Sequence, residues 1–163
     1  MEKDKEELFS HIMSSLNTKL DSYKVGSMIY DDLKGYYFKC TDNFNNLTIN
    51  EFLTLYKISL MNDMNIITEE EAVLLEKLFN SKLQINRKIG DIAYRRLYQE
   101  ETMSNAQINS LYQKVVEIDQ LLSRYHLIMN QEEYQEMLMN GIINEDFSNI
   151  PTDEEIKALV KTL

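Results

Sequence analysis

Residues 67–72 read Ile-Thr-Glu-Glu-Glu-Ala, and this short stretch carries the pattern that decides the fold of the 163-residue chain. In a capping box, a threonine at a helix start accepts a hydrogen bond from the backbone N–H three residues on. A glutamate at that third position accepts one from the threonine N–H. Thr68 and Glu71 satisfy this pattern, and the apolar Ile67 and Ala72 around them can close as a hydrophobic staple. The stretch therefore predicts a helix that begins at Thr68.

The same signature occurs at four further places, each with apolar residues on both sides. These places are Thr48–Glu51, Ser104–Gln107, Asn130–Glu133 and Thr152–Glu155. The chain also has only one proline and four glycines, so it contains few residues that would interrupt a helix. Repeated helix starts at helix-length intervals predict an all-α protein.

Apolar periodicity and the starts together predict about six or seven helices. We expect helices over about 4–21, from Gly26 and Ser27 through Leu33, over 48–61, 68–99, 104–125 and 131–139, and from Thr152 onward. Residues 35–40 could be extended instead of helical. Gly141 is expected to end the helix over 131–139 as a left-handed residue. Because no linker or low-complexity segment occurs, we expect residues 1–163 to form a single-domain helical bundle.

The two longest predicted helices carry apolar residues at alternating spacings of three and four. In 104–125 they are Ile108, Leu111, Val115, Ile118, Leu122 and Tyr125, and in 68–99 they are Leu75, Leu78, Ile85, Ile89 and Ile92. The short connection between these helices predicts a long antiparallel hairpin. Its apolar seam is interpreted as the core of one chain or, alternatively, as a homodimer interface.

Composition excludes several classes of protein. The chain is 44% hydrophobic and 27% charged with a formal net charge of −10, which is typical of a globular domain rather than a disordered acidic tail. No run of about 18 apolar residues occurs, and the charged first residues do not resemble a signal peptide. We therefore expect a cytoplasmic protein without a membrane segment.

The residues that usually carry catalysis or bind metals are sparse. Cys40 is the only cysteine, which excludes an intramolecular disulfide and a multi-cysteine zinc site. His126 falls at the end of a predicted helix, where a surface position favoured by the helix dipole is expected, and His11 lies beside an apolar stripe. A calcium loop closed by Glu51 would place Cys40 and Phe44 at ligand positions. We therefore expect no enzyme activity, no cofactor and no metal site.

Charge is distributed unevenly and suggests an interaction surface. Between residues 77 and 96 six basic residues face one acidic residue, a local charge of +5, whereas residues 131–163 hold eight acidic and two basic residues, a charge of −6. The candidate surface residues are Lys82, Arg87, Lys88, Arg95, Arg96, Glu132, Glu133 and Glu136.

Two functions fit these observations. The preferred hypothesis is a small acidic protein that acts by contact with a protein partner, as an adaptor, regulator or inhibitor. One form of it is a phage-type inhibitor that occupies the basic nucleic-acid site of a host defence protein. The alternative is a nucleic-acid-binding regulator of transcription or replication that uses the basic helix over 77–96, although an acidic chain makes nucleic acid an unfavourable partner.

Overall fold

The computed structural model describes residues 7, 10, 27–39, 47–98 and 103–163, and every regular element in this part of the chain is a helix. The described helices are α1 (Ser27–Lys39), α2 (Ile49–Asp63), α3 (Glu69–Leu97), α4 (Asn105–Arg124), α5 (Gln131–Asn140) and α6 (Asp153–Val160). The all-α prediction is confirmed. Of the first predicted helix, over about 4–21, Glu7 and Ser10 are helical and exposed, and the other residues lie outside the described part.

Capping boxes begin the helices where the sequence predicts them. Complete boxes start α2, α3, α4 and α5. At α6 the Thr152 side chain accepts from the backbone N–H of Glu155, at 3.3 Å. The Glu155 carboxylate is instead ion-paired with Arg124, so the prediction of a complete box at Thr152 is wrong. A charged guanidinium is a stronger partner for a carboxylate than a neutral backbone N–H.

Helix α1 extends beyond Leu33, the last residue named in the predicted helix. It continues through Gly35 to Lys39, so the alternative of an extended segment over 35–40 is wrong for its described residues. Tyr36 and Tyr37 are buried, and their ring centroids lie 5.8 Å and 6.1 Å from that of Phe52 on α2. Tyr36 and Tyr37, whose local sequence fits either a helix or an extended segment, are therefore helical and pack on α2.

The end of α4 departs from expectation at His126. This residue has φ 58°, and its N–H donates to the Ser123 carbonyl while the N–H of Leu127 donates to the Leu122 carbonyl. The two bonds form a Schellman motif, which requires a left-handed residue and is usually made by glycine. His126 is half-buried with its ring edge-on to Phe147 at 5.5 Å, so it is a helix-ending residue rather than a dipole-favoured surface histidine.

The described chain forms two compact units, each built from two separate stretches. The first takes its residues from 1–66 and 129–146, and the second from 67–128 and 147–163. In the first unit α1, α2 and α5 pack on one another, and in the second α3, α4 and α6 do so. The single-domain description of residues 1–163 stays a prediction.

In the first unit, α2 is the central helix. Side chains on all of its sides are buried, among them Phe52, Leu53, Tyr56, Ile58 and Met61. A helix that is apolar all round is typical of the inside of a bundle. The Thr54 hydroxyl and the Tyr134 hydroxyl of α5 lie 3.0 Å apart, which satisfies two buried polar groups.

In the second unit, two contacts define how α3 and α4 lie together. Lys82 Nζ is 2.7 Å from Asp119 Oδ1, and Arg96 Nη2 is 2.9 Å from Asn105 Oδ1. The two α3 residues in these contacts are fourteen residues apart, and so are their two partners on α4. The partners follow in the reverse order, so α3 and α4 run antiparallel.

The predicted apolar seam contributes to the core of the second unit. Leu75, Leu78, Ile118 and Leu122 are each 0% exposed within one copy, whereas Ile85 and Ile89 are half-buried. The homodimer interpretation of the seam is therefore not needed to cover these four fully buried residues. The described helix α6 also packs on α3 and α4, with its Ile156 fully buried.

Two glycines provide a matched prediction about helix conformation. We expect Gly90→Ala to raise the free energy of unfolding by up to about 1 kcal/mol, because alanine has the higher helix propensity and nothing lies within 4 Å of the added Cβ. Gly141 has φ 75° and ψ −154°, a region beyond the left-handed helical one that glycine alone adopts readily, so Gly141→Ala should lower stability by about 1–3 kcal/mol. Urea denaturation measures the free energy of unfolding of both variants, and a change of the same sign in both would contradict this account.

Buried tyrosines predict alkaline unfolding. Burial raises the pKa of Tyr56, Tyr125 and Tyr134 above the ordinary 10.0. Below pH 10 these phenols are protonated in both states, whereas above it the unfolded chain loses protons first, so stability falls as the pH rises. We expect the last part of the tyrosinate absorbance, which comes from these buried phenols, to appear together with the loss of helical circular dichroism at high pH. Ionisation of every tyrosine with the helical signal intact would be the opposite result.

Candidate interaction surface on the outer side of α3

The predicted basic residues are all on α3, but several are engaged within the chain. Lys82 is half-buried and paired with Asp119 of α4. Arg95 is exposed, and its Nε lies 3.1 Å from Asp91 Oδ2 one turn earlier. At least three of the five predicted basic residues, Lys82, Arg95 and Arg96, therefore have a partner within the chain.

Arg96 connects the end of α3 to the start of α4. Its Nη2 donates to the Met103 carbonyl at 3.2 Å and to Asn105 Oδ1 at 2.9 Å. Both acceptors flank Ser104, the N-cap of α4. The role of Arg96 in this geometry is to hold the two helices together.

The predicted acidic residues lie on α5 in the other unit. Glu132, Glu133 and Glu136 are exposed. Glu133 accepts from the backbone N–H of Asn130 at 3.2 Å in the α5 capping box, and Glu136 Oε1 accepts from Asn140 Nδ2 at 2.9 Å. The basic and acidic residues thus belong to two surfaces, and each is described separately.

The most conspicuous exposed apolar side chains follow the basic run on α3. Tyr94, Leu97 and Tyr98 are 60%, 80% and 65% exposed. The rings of Tyr94 and Tyr98, one helical turn apart, have centroids 4.9 Å apart. A partner that covers such side chains would gain about 25 cal/mol of binding free energy for each Å² of apolar surface removed from water.

Helical geometry explains why these side chains point outward. Ile92 is buried, and at about 100° per residue Tyr94 and Tyr98 fall on the opposite side of α3. Arg87 lies on that same side, whereas Lys88, one turn before Ile92, lies at the edge of the buried side, and both are exposed. We call the exposed side chains of Arg87, Lys88, Tyr94, Leu97 and Tyr98 the aromatic–basic surface.

Charge counting alone missed the aromatic part of this surface. The signal was present in the sequence, because Tyr94 and Tyr98 are four residues apart and lie out of phase with the seam residue Ile92. Scoring both faces of the helix, rather than only its apolar seam and its charges, would have found it.

A buried ion pair in the first unit was also missed. Lys57 is only 1% exposed, and its Nζ lies 2.7 Å from Glu145 Oε1 and 3.7 Å from the Met129 sulfur. Burial lowers the pKa of Lys57, an effect that the hydrogen bond and charge of Glu145 oppose. The pair connects central α2 to the loop after α5. A single lysine in an apolar run gives no sequence signal of this kind.

Within the described residues, no group of three His, Cys, Asp or Glu side chains is placed to hold a metal ion. The tested calcium loop and Cys40 fall mainly on residues 40–46, outside the described part, as does His11. Among the helices that are described, none combines the length and apolar character needed to cross a bilayer.

Comparison with protein families, with curated proteins and with solved structures found no match.

Proposed function

We propose that this protein acts in the cytoplasm by binding another protein through the aromatic–basic surface, as an adaptor, regulator or inhibitor, and not as an enzyme. The observation that supports it is the exposure of Tyr94, Leu97 and Tyr98 side by side at the end of α3. Tyrosine and arginine are enriched at protein interfaces, where they supply large contact areas.

The physical argument is one of burial and orientation. Two tyrosines on one helix face offer rigid rings with hydroxyls that can form hydrogen bonds, and Leu97 adds apolar area beside them. Arg87 and Lys88, one to two turns earlier on α3, add positive charge that favours a partner with carboxylates. A partner that covers this surface would bury apolar area and pair charge at once.

A special form of the proposal is an acidic inhibitor of a nucleic-acid-binding protein, such as a host defence protein inhibited by a phage. It would use the exposed carboxylates of Glu132, Glu133 and Glu136 on α5, and the net charge of −10 favours it.

The test is capture of partners from the native host with the full chain as bait. We expect wild type to retain a partner that the triple variant Tyr94→Ser/Leu97→Ser/Tyr98→Ser loses. Val73→Ser is the matched control, because Val73 is also exposed on α3 but lies 21 residues away, roughly 30 Å along the helix. Equal capture by all three baits would exclude this surface.

The alternative of a nucleic-acid regulator leads to a direct prediction. We expect no binding of duplex DNA tighter than about micromolar at physiological salt, because the net charge is −10 and binding depends on neutralised phosphates. Lys82, Arg95 and Arg96 are moreover engaged within the chain. Fluorescence anisotropy over a salt series measures this, and a salt-sensitive submicromolar transition would favour the alternative.

A further inference from the structure

Helix α5 carries an outward face that complements the aromatic–basic surface. Its buried side, formed by Tyr134, Met137 and Leu138, packs within the first unit. On the opposite side of the helix lie Glu132 and Glu136, followed by Met139, which is 40% exposed.

The same pattern continues just past the end of α5. Ile143 is 74% exposed, so the acidic end of the face leads to two exposed aliphatic side chains. We call Glu132, Glu136, Met139 and Ile143 the acidic–aliphatic surface.

The two surfaces match in spacing as well as in charge. Seven residues separate Arg87 from Tyr94, and seven separate Glu132 from Met139, about 10 Å in each helix at about 1.5 Å per residue. One surface therefore places positive charge about two turns from aromatic rings, and the other places negative charge at the same distance from an aliphatic group. The Asp91 carboxylate on the α3 face is paired with Arg95, which reduces its repulsion of an acidic helix.

We infer that the aromatic–basic surface of one copy binds the acidic–aliphatic surface of a second copy, so that copies of the protein associate with one another. The inference rests on the proposed function, since it names the occupant of the same surface. Each copy carries both surfaces, and because the two surfaces differ, the contact is a heterologous one. Complementary charge selects the pairing, and burial of Tyr94, Tyr98, Met139 and Ile143 stabilises it.

Sedimentation velocity of the full chain over micromolar to millimolar concentrations tests this directly. We expect concentration-dependent association whose dissociation constant rises with salt. Arg87→Glu/Lys88→Glu should weaken it about tenfold or more, and Glu132→Lys/Glu136→Lys should do the same. All four side chains are exposed, and circular dichroism verifies that each variant keeps its helices.

The decisive result is rescue by combination. A chain with all four charges reversed restores complementarity and should associate like wild type. An equimolar mixture of the Arg87→Glu/Lys88→Glu and Glu132→Lys/Glu136→Lys variants should do the same. A wild-type chain that stays monomeric would overturn the inference, as would charge-reversed variants that associate as strongly as wild type. If the chain is monomeric yet the Tyr94, Leu97 and Tyr98 variant still loses a captured partner, self-association fails while the proposed function stands.

Discussion

Replacing Ile118 by alanine lowers the free energy of unfolding by about 2–5 kcal/mol, a large share of the roughly 5–15 kcal/mol that stabilises a typical domain. Ile118 is 0% exposed in α4, and Leu75 and Leu78 of α3 and Leu122 of α4 are equally buried in the same unit. Truncation there removes apolar contacts and leaves a cavity that packed helices cannot fill.

Two further variants sharpen this prediction. Ile92→Ala should be destabilising as well, because Ile92 is 6% exposed, whereas Lys88→Ala, at an exposed position of α3, should change stability by less than about 0.5 kcal/mol. Thermal melts and urea titrations of the three variants measure the difference. An Ile118→Ala protein that melts with the parent would show that this residue is not part of the core.

Replacing Glu145 by alanine should have a comparable effect, about 3–5 kcal/mol of destabilisation, because it leaves the Lys57 ammonium buried without its carboxylate. Glu145 keeps 28% exposure, so water entering at its position moves the expected value toward the lower end. By contrast, Lys57→Met replaces the buried charge with an apolar chain of similar length, and we expect little loss of stability.

A double-mutant cycle separates the pair from its surroundings. In the Lys57→Met background, Glu145→Ala should cost far less than in wild type, since no buried ammonium remains to be stranded. Equal costs in the two backgrounds would mean that Glu145 stabilises the loop after α5 without help from Lys57.

The same pair predicts a pH dependence of definite sign. Burial holds the pKa of Lys57 in the folded protein below the ordinary 10.5 of the unfolded chain. Between these two values the unfolded state binds more protons, so stability contributed at this site rises with pH up to about 10.5. The rise should be larger in Glu145→Ala and absent in Lys57→Met, which is also the reference that subtracts the opposite trend of the buried tyrosines.

Much of the described secondary structure follows from the sequence, because a helix start is a local event. The bonds between Thr48 and Glu51, or between Thr68 and Glu71, join residues three apart and form wherever those side chains occur together. Helix ends were less predictable. Asn65 and His126 both have φ 58°, and although asparagine and histidine are among the non-glycine residues enriched in left-handed conformations, neither residue type marks a helix end by itself.

The positions of the surface side chains were predictable to an intermediate degree, less than the helix starts and more than the helix ends. Helical spacing places Tyr94 and Tyr98 opposite Ile92, so the outward position of the aromatic–basic surface could be read from the sequence once α3 was known to pack on one side. The engagement of Lys82 with Asp119 could not, since it depends on the register of α3 against α4.

Sequence alone therefore determined the helical class, five helix starts and the apolar face of α4, all of which depend on residues within a turn or two of one another. Only the tertiary structure decided that Lys57 is a buried cation, that Glu155 pairs with Arg124 instead of closing its cap, and that α2 is covered on every side. The physical reason is distance along the chain: Lys57 meets Glu145 across 88 residues and Thr54 meets Tyr134 across 80. Such pairings depend on how whole helices pack, and no local hydrogen bond specifies them.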